Sequence, residues 1–362
     1  MKVALVYDRV NKWGGAERVL LALHELFPQA PLFTSVYNSA TAPWAGVFDI
    51  KTSFLQKFPF AKKSHELYPL LMPIAFESFT FDEFDIVISV ASEAAKGIIT
   101  KPSTLHICYC LTPTRYLWSG YEDYFSNPLI RFLSLPAVAY LKTWDKIAAT
   151  RPDVFIAISS EVQSRIKQYY QRDAQIIYPP VTLFDNYEIV DSKVGDYFLV
   201  VSRLVAYKRI DLAIKACNEL KVPLKIIGIG KEEAYLRSIA GPTVDFLGSV
   251  TDEELASYYQ NCRALLFPGR EDFGIVMVEA MGFGKPVIAY KGGGALDIIQ
   301  DRKTGVFFKE QTVKDLADAI NAFYKISFDS HIIQKRAKLF SKQIFQHSFM
   351  EAVENNFAKM QK

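Results

Sequence analysis

The sequence predicts an α/β protein made of two doubly wound parallel-sheet domains. Short apolar runs that suit buried parallel strands alternate with amphipathic helices, and the alternation restarts after a polar stretch in the middle of the chain. The length of 362 residues is enough for two domains of ordinary size. We expect the domains to span 1–180 and 181–340, with the linker between Pro179 and Asp196 and a last helical segment at 341–362.

Each half is defined by its own series of strands and helices. In the first half, apolar runs predict strands at Val3–Tyr7, Asp85–Ala91, Leu105–Cys110 and Asp153–Ala157, and helices at Ala16–Phe27 and Val162–Tyr170. The segment Ile176–Val181 closes this half. In the second half, the strands are Tyr197–Val201, Leu224–Gly230, Val244–Val250, Ala264–Phe267 and Pro286–Tyr290, and the helices are Ile210–Glu219, Asp252–Asn261, a helix beginning at Val276, Thr312–Lys325 and Ser341–Lys362.

Composition excludes several classes of function. Half of the residues are hydrophobic, which allows a sizeable core, and a net charge of +3 is too small to indicate nucleic-acid binding. The four cysteines lack zinc spacing, and Cys108 and Cys110 flank a tyrosine on a predicted strand, so we expect buried free thiols in a reducing cytoplasm. We expect no signal peptide, no spanning helix and, without an Asp-x-Asp motif, no metal site.

The stretch Gly269–Met281 carries the main chemical signal. It follows a predicted buried strand and runs into a predicted helix, at the carboxyl end of the strand where open α/β sheets bind ligands. Glu271 lies in the loop, and Glu279 lies eight residues further on, inside the helix. Two such acids could bind separate hydroxyls of one ligand, although acids near a helix start also serve simply to complement the helix dipole.

The frame around these glutamates resembles the signature of the retaining GT-B glycosyltransferases of family 4. The matching segments are Glu271–Ile275, Glu279–Met281, Gly284–Ala289 and the glycine turn Gly292–Leu296. The resemblance covers nearly the whole chain. It implies two Rossmann-like domains that face each other across a cleft, with a nucleotide-sugar bound to the second domain.

The resemblance also implies roles for individual residues of the motif. Glu271 would hold the hydroxyls of the donor sugar and act in catalysis, and Glu279 would hold the ribose. Phe273, Gly274 and Ile275 would complete the donor site.

Two cations bracket the loop that follows the predicted strand Tyr197–Val201. Arg203 and Lys208 combine a planar guanidinium with an ammonium, a pairing that suits a diphosphate, although a solvated basic turn would have the same composition. Family 4 enzymes carry an arginine and a lysine at these positions. The resemblance therefore implies that both residues bind the donor and stabilise its leaving diphosphate in catalysis, with Arg209 as a weaker third candidate.

The first half offers fewer candidates. Gly15 precedes a predicted helix, where bare amides favour a phosphate, and the family places this segment over the donor diphosphate. The segment is not a Gly-x-Gly-x-x-Gly fingerprint, so a nicotinamide cofactor is disfavoured and no cofactor is expected. Arg115 is a candidate contact for an anion or the acceptor. Leu111 stands where related enzymes often carry a histidine, and His106 fits the core better than catalysis.

These features predict transfer of a sugar with retention of anomeric configuration, without a metal. The sequence segments around Cys108 and Glu271 look most like those of bacterial mannosyltransferases of polysaccharide assembly. That likeness implies GDP-mannose as donor and a glycan or a polyprenyl-diphosphate-linked acceptor. Two alternatives stay open: a nucleotide-sugar epimerase of the same architecture, and a non-catalytic subunit that binds sugar nucleotides.

The stretch Phe54–Phe81 is rich in aromatic residues. It contains seven phenylalanines or tyrosines interleaved with Lys57, Lys62 and Lys63. Such a surface could lie against an anionic membrane. An insertion that covers its own small core explains the pattern equally well, so both hypotheses are kept.

Overall fold

The computed structural model describes residues 1–125, 127–182 and 195–361. The chain divides into two compact units, Met1–Pro180 with Gln343–Lys362, and Val181–Lys342. Most of the predicted linker, residues 183–194, lies outside the described residues.

The first unit is built on a seven-stranded sheet whose described strand pairs are all parallel. Its strands are β1 (Val3–Tyr7), β2 (Leu32–Thr34), β3 (Ile50–Thr52), β4 (Ile86–Ala91), β5 (Leu105–Cys110), β6 (Val154–Ala157) and β7 (Gln175–Ile176). The order is β3-β2-β1-β4-β5-β6-β7. The chain therefore reverses its direction of travel across the sheet between β1 and β4, and we call this place the first switch point.

Helices cover this sheet, and one of them comes from the end of the chain. The helices are α1 (Gly15–Leu26), α2 (Met72–Glu77), α3 (Tyr121–Tyr124), α4 (Pro128–Ala148), α5 (Ser160–Tyr170) and α13 (Lys342–Met360). Phe345 and Phe349 of α13 pack on Tyr109 of β5, and Gln346 donates a hydrogen bond to the backbone of Ala22 in α1. These buried contacts fasten α13 to the first unit.

The second unit repeats the pattern with six parallel strands. They are β8 (Phe198–Val201), β9 (Leu224–Ile227), β10 (Val244–Gly248), β11 (Leu265–Phe267), β12 (Val287–Tyr290) and β13 (Gly305–Phe308). The order is β10-β9-β8-β11-β12-β13, so the second switch point lies between β8 and β11. The helices are α6 (Ile210–Leu220), α7 (Glu233–Ser238), α8 (Asp252–Asn261), α9 (Ile275–Gly282), α10 (Ala295–Ile298), α11 (Val313–Phe323) and α12 (Ser330–Lys338).

The predicted fold class is confirmed, and the differences concern particular elements. The strands β2 and β3, of three residues each, and β13 were not predicted. The longest helix, α4, was not predicted either, because Pro136 lies inside it and indicates a break. The expected cysteine state is confirmed: Cys108, Cys110, Cys217 and Cys262 are buried and free.

A buried carboxylate ties α4 to the rest of the first unit. Asp145 of α4 accepts hydrogen bonds from Lys96 after β4, from Thr114 and Trp118 in the loop after β5, and from Tyr170 at the end of α5. Burial lowers the pKa of the Lys96 ammonium, but the Asp145 carboxylate outweighs this and raises that pKa above its ordinary value. Lys96 therefore keeps its charge inside the protein, and Asp145 is satisfied by several donors.

Loss of this charge should loosen the first unit. We expect Asp145→Asn to leave Lys96 as a buried charge without its counter-ion and to cost about 3–5 kcal/mol. Hydrogen exchange measured on the full chain should show that the free energy of opening β4 and β5 falls by that amount. The exposed Asp82→Asn is the matched control, and equal protection in both variants would contradict this account.

Candidate functional site

The second switch point brings together two of the predicted site residues. Lys208 ends a short helical turn, Ala206–Lys208, that follows β8, and Glu271 lies in the loop that follows β11. The Lys208 ammonium forms a direct ion pair with the Glu271 carboxylate. Both side chains are largely buried, with 12% and 22% of the side-chain surface exposed. A cation and a carboxylate thus meet where open parallel sheets bind ligands.

Glycines let the surrounding loops approach closely enough to form this arrangement. A Cβ on Gly269 would lie 3.0 Å from the backbone of Lys208, and one on Gly293 would lie 2.2 Å from the carbonyl oxygen of Glu271. Gly293 also has a φ of +62°, and the neighbouring Gly294 amide donates to the Glu271 carbonyl. The predicted glycine turn after β12 is therefore a support for the Glu271 loop.

The second predicted glutamate is buried within α9. Glu279 is 3% exposed and accepts a hydrogen bond of 3.0 Å from the Tyr259 hydroxyl. Tyr259 belongs to α8, is fully buried and stacks on Phe283. Tyr259 therefore fixes the Glu279 carboxylate, and a partner twenty residues upstream on another helix has no signal in the local sequence.

The start of α9 differs from the prediction by one residue. The helix begins at Ile275 rather than Val276, and Gly274 precedes it with a φ of +102°, which favours glycine. Phe273 is 4% exposed and packs on Phe340. Its side chain belongs to the core, so a ligand contact at this position would use the backbone.

The remaining cations of the loop after β8 are placed differently from Lys208. Arg203 is exposed and donates a hydrogen bond to the Tyr207 hydroxyl. Arg209 has a left-handed backbone, precedes α6 and pairs with Asp211 at 3.2 Å. Arg203 can therefore turn toward a ligand, whereas Arg209 is engaged at the start of the next helix.

The other predicted residues lie in the first unit. Gly15 is the exposed first residue of α1, and the nearby Glu17 is buried, where it accepts a hydrogen bond from Tyr7. Arg115 lies half-buried in the loop after β5. His106 is buried in β5, 2.9 Å from the Ser89 hydroxyl, and burial lowers its pKa to about 3. Its predicted place in the core is confirmed.

The first switch point holds a second ion pair that we did not predict. Arg9 follows β1, Glu93 follows β4, and the two side chains form an ion pair of 2.8 Å. His65 is 3% exposed, and its Nε2 lies 3.8 Å from the Glu93 carboxylate. Burial raises the pKa of the Glu93 carboxyl, but Arg9 and His65 outweigh it and hold that pKa at about 2. The available signal was that Arg9 and Glu93 each lie just after a predicted strand.

Two features are absent from the part of the chain that the structure describes. Within residues 1–125, 127–182 and 195–361, no three histidine, cysteine, aspartate or glutamate side chains are grouped so that they could hold a metal ion. In the same residues, no helix has both the length and the apolar character needed to cross a bilayer.

Part of the chain matches a known family. Residues 189–340, which contain the Lys208–Glu271 pair and α9, match the family described as "Glycosyl transferases group 1".

Curated relatives are similar over part of their length. An uncharacterized glycosyltransferase of Methanocaldococcus jannaschii is 31% identical over 48% of this chain and 50% of its own. O-antigen chain mannosyltransferase C of Escherichia coli is 31% identical over 36% and 38%. A human alpha-1,3/1,6-mannosyltransferase is 31% identical over 42% and 44%. The chain therefore matches half or less of the length of these relatives.

Solved structures are similar over the full length. Anabaena HepE in complex with UDP superposes with a TM-score of 0.74 over 98% of this chain and 100% of that one, at 18% identity. The apo form of the lipopolysaccharide outer core galactosyltransferase WaaB gives 0.69, with the same coverage and 20% identity. The chain thus has the GT-B fold of two parallel-sheet α/β domains, and its second unit is similar to the group 1 glycosyl transferases.

Proposed function

We propose that the chain is a retaining glycosyltransferase of family 4 that transfers mannose from GDP-mannose to a glycan or a polyprenyl-diphosphate-linked acceptor. The observation that carries the proposal is the Lys208–Glu271 ion pair at the second switch point, with the buried Glu279 in the helix that follows. The family match over residues 189–340 supports the reaction class. The E. coli and human relatives, both named mannosyltransferases, support the sugar.

The ion pair suggests how the donor is received. A bound nucleotide-sugar would separate the pair, with Lys208 and Arg203 turning to the diphosphate and Glu271 to the sugar hydroxyls. The bond from the sugar C1 to the diphosphate oxygen then breaks as the acceptor oxygen bonds to C1 on the same face. The acceptor proton passes to the departing phosphate. Preorganised cations stabilise the charge that develops on the leaving group.

The epimerase alternative is not favoured. The relatives described above are named for glycosyl transfer rather than for epimerisation. Incubation of the protein with the nucleotide-sugar alone separates the cases, because only an epimerase would produce an epimer. A non-catalytic subunit would leave the donor unchanged even when acceptor is present.

Transfer itself is the first test. We expect the protein to consume GDP-mannose in preference to UDP- and dTDP-sugars when a lipid-linked glycan acceptor is supplied, and to form a product with retained configuration. Because Lys208 and Arg203 take the place of a metal in this mechanism, turnover should survive EDTA. Turnover that is lost on chelation and restored by magnesium or manganese would overturn the metal-free mechanism, and use of UDP-sugars alone would overturn the donor assignment.

The two glutamates should affect different kinetic constants. In the proposed mechanism Glu279 binds ribose hydroxyls, which do not change during the reaction, so Glu279→Gln should raise KM for the donor by about tenfold or more. Glu271 lies beside the reacting sugar, where contacts tighten in the transition state, so Glu271→Gln should mainly lower kcat.

Steady-state kinetics with donor varied and acceptor saturating separates the two effects. The exposed Glu310→Gln in the same unit is the control and should behave as wild type. If the effects of the two glutamates are reversed, or if both variants keep near wild-type constants, the assignment of roles is wrong.

Membrane contact is the remaining part of the proposal. In the stretch Phe54–Phe81, Phe76 and Phe81 are buried, and Phe79 and Phe81 pack on Phe33 of β2. Phe58 and Phe60 are exposed in the segment that contains Lys57, Lys62 and Lys63. The larger apolar surface is the first half of α4, where five large side chains are 48–69% exposed: Leu129, Ile130, Phe132, Leu133 and Leu135.

The first half of α4 suits the headgroup region of a bilayer. Its exposed apolar residues form one broad side of the helix, and Arg131 and Ser134 lie on the remaining side. A lipid surface covers so broad an apolar side better than a narrow groove would. Between Pro128 and Trp144 the helix carries no acidic residue, and Arg131 is paired with Glu122 of α3 at 2.7 Å. The remaining cation, Lys142, favours an anionic lipid surface.

Flotation with anionic liposomes tests this contact. We expect the wild type to float, and the triple change Leu129→Ser, Phe132→Ser and Leu133→Ser to abolish flotation because the inserted apolar surface is lost. A change of Lys57, Lys62 and Lys63 to Glu should weaken flotation mainly at low salt. The control pair Ile332→Ser and Leu339→Ser removes exposed apolar surface elsewhere. A wild type that stays unbound at low salt would defeat the membrane proposal.

A further inference from the structure

We propose that Tyr207 is a positioning residue that holds two cations, Arg203 and Lys208, against one aromatic side chain so that both meet the donor diphosphate together. The proposal rests on the proposed function, in which these cations bind that diphosphate. Tyr207 lies between them in the sequence, in the short helical turn Ala206–Lys208, and 36% of its surface is exposed. Its side chain is therefore outside the hydrophobic core, at the edge of the candidate site.

The Tyr207 side chain contacts the two cations through different parts. Its hydroxyl accepts a hydrogen bond of 3.0 Å from the Arg203 guanidinium. The Lys208 ammonium lies over the ring, 5.3 Å from the ring centroid, which is within the range of a cation–π contact. Tyr207 therefore joins the two cations through an uncharged group.

An uncharged partner leaves both cations able to act on a ligand. A carboxylate at position 207 would neutralise Arg203 and Lys208 and compete with the diphosphate for them. The hydroxyl oxygen and the face of the ring carry only partial negative charge, which attracts both cations and offsets the repulsion between them. Tyr207 thus brings two like charges to one place while each keeps its full charge for the donor.

The ring also supports Lys208 when its ion pair opens. Lys208 pairs with Glu271, and in the proposed mechanism the bound donor separates this pair. Tyr207 directly precedes Lys208 on the same turn, so its ring remains a partner of the ammonium when Glu271 turns to the sugar. The cation is therefore held in place during the exchange of one negative partner for another.

The backbone of this loop is fixed, so donor binding has to order only side chains. Hydrogen bonds from the amides of Lys208 and Arg209 close the turn at 3.1 and 3.0 Å, and one from the amide of Leu204 ties the loop to the segment after β9 at 3.0 Å. Arg203, by contrast, is a long exposed side chain, and ordering such a side chain costs binding free energy. Its hydrogen bond to Tyr207 lowers that cost.

Calorimetric titration with GDP and GMP tests the role of Tyr207, because only GDP carries the diphosphate. We expect Tyr207→Phe, which removes the hydroxyl, to weaken GDP binding about fivefold, since Arg203 then has to be ordered by the ligand alone. Tyr207→Leu also removes the ring and should weaken GDP binding further, while GMP binding stays within about twofold of wild type in both variants. The control Tyr235→Leu removes a 46% exposed tyrosine from the same unit and should match wild type.

A double-mutant cycle shows whether the hydroxyl acts through Arg203. In an Arg203→Ala background, Tyr207→Phe should change GDP binding by less than about twofold, because the group that the hydroxyl positions is gone. Equal losses in the two backgrounds would overturn the positioning role. Tyr207 variants that bind GDP as wild type does, or that lose GDP and GMP equally, would overturn it as well. UDP and UMP repeat the comparison, so the outcome does not depend on the base.

Transfer assays distinguish failure of this inference from failure of the proposed function. Sugar transfer by a protein whose affinity for the nucleoside diphosphate does not depend on Tyr207 would refute the inference and leave the function standing. Selective loss of diphosphate binding in the Tyr207 variants of a protein that transfers no sugar would refute the function and leave the role of Tyr207 standing. A wild type that binds neither diphosphate more tightly than its monophosphate would refute the inference, because the cations would then make no diphosphate contact.

Discussion

The ion pair between Lys208 and Glu271 is the interaction on which the candidate site depends. It joins the loops that follow two neighbouring strands, β8 and β11, at the place where the sheet order reverses. The two loops could not approach so closely with larger residues, since a Cβ on Gly269 would press on the Lys208 backbone. In the proposed mechanism this pair is a preorganised receptor whose two charges are already in position for a diphosphate and for sugar hydroxyls.

Sequence reasoning predicted the parts of the fold that have strong local signals. The buried strands β4, β5 and β12 are continuous apolar runs, and each lies within about one residue of the prediction. The strands β2 and β3 are three residues long, which is too short for a pattern. β2 forms on the edge of β1, and β3 forms on the edge of β2. The helix α4 was missed because Pro136 inside it indicates a break.

The candidate site was predictable in its residues but not in their contacts. Glu271 and Lys208 each follow a recognisable strand, yet their pairing depends on strand order, which the sequence does not state. Tyr259 orients Glu279 from a separate helix. The pair Arg9–Glu93 was overlooked although both residues follow predicted strands, because neither belongs to the glycine-rich motifs that carry the family resemblance. In each case the missing information is a contact between segments that are far apart in the sequence.

Hydrogen exchange with and without GDP-mannose tests the central claim most directly, because it reports which loops the donor contacts. The account predicts that saturating donor slows exchange in residues 202–209 and 269–280, and that Lys208→Ala removes this protection. Protection confined to the loops after β1 and β4, with residues 269–280 exchanging as in the free protein, would contradict it.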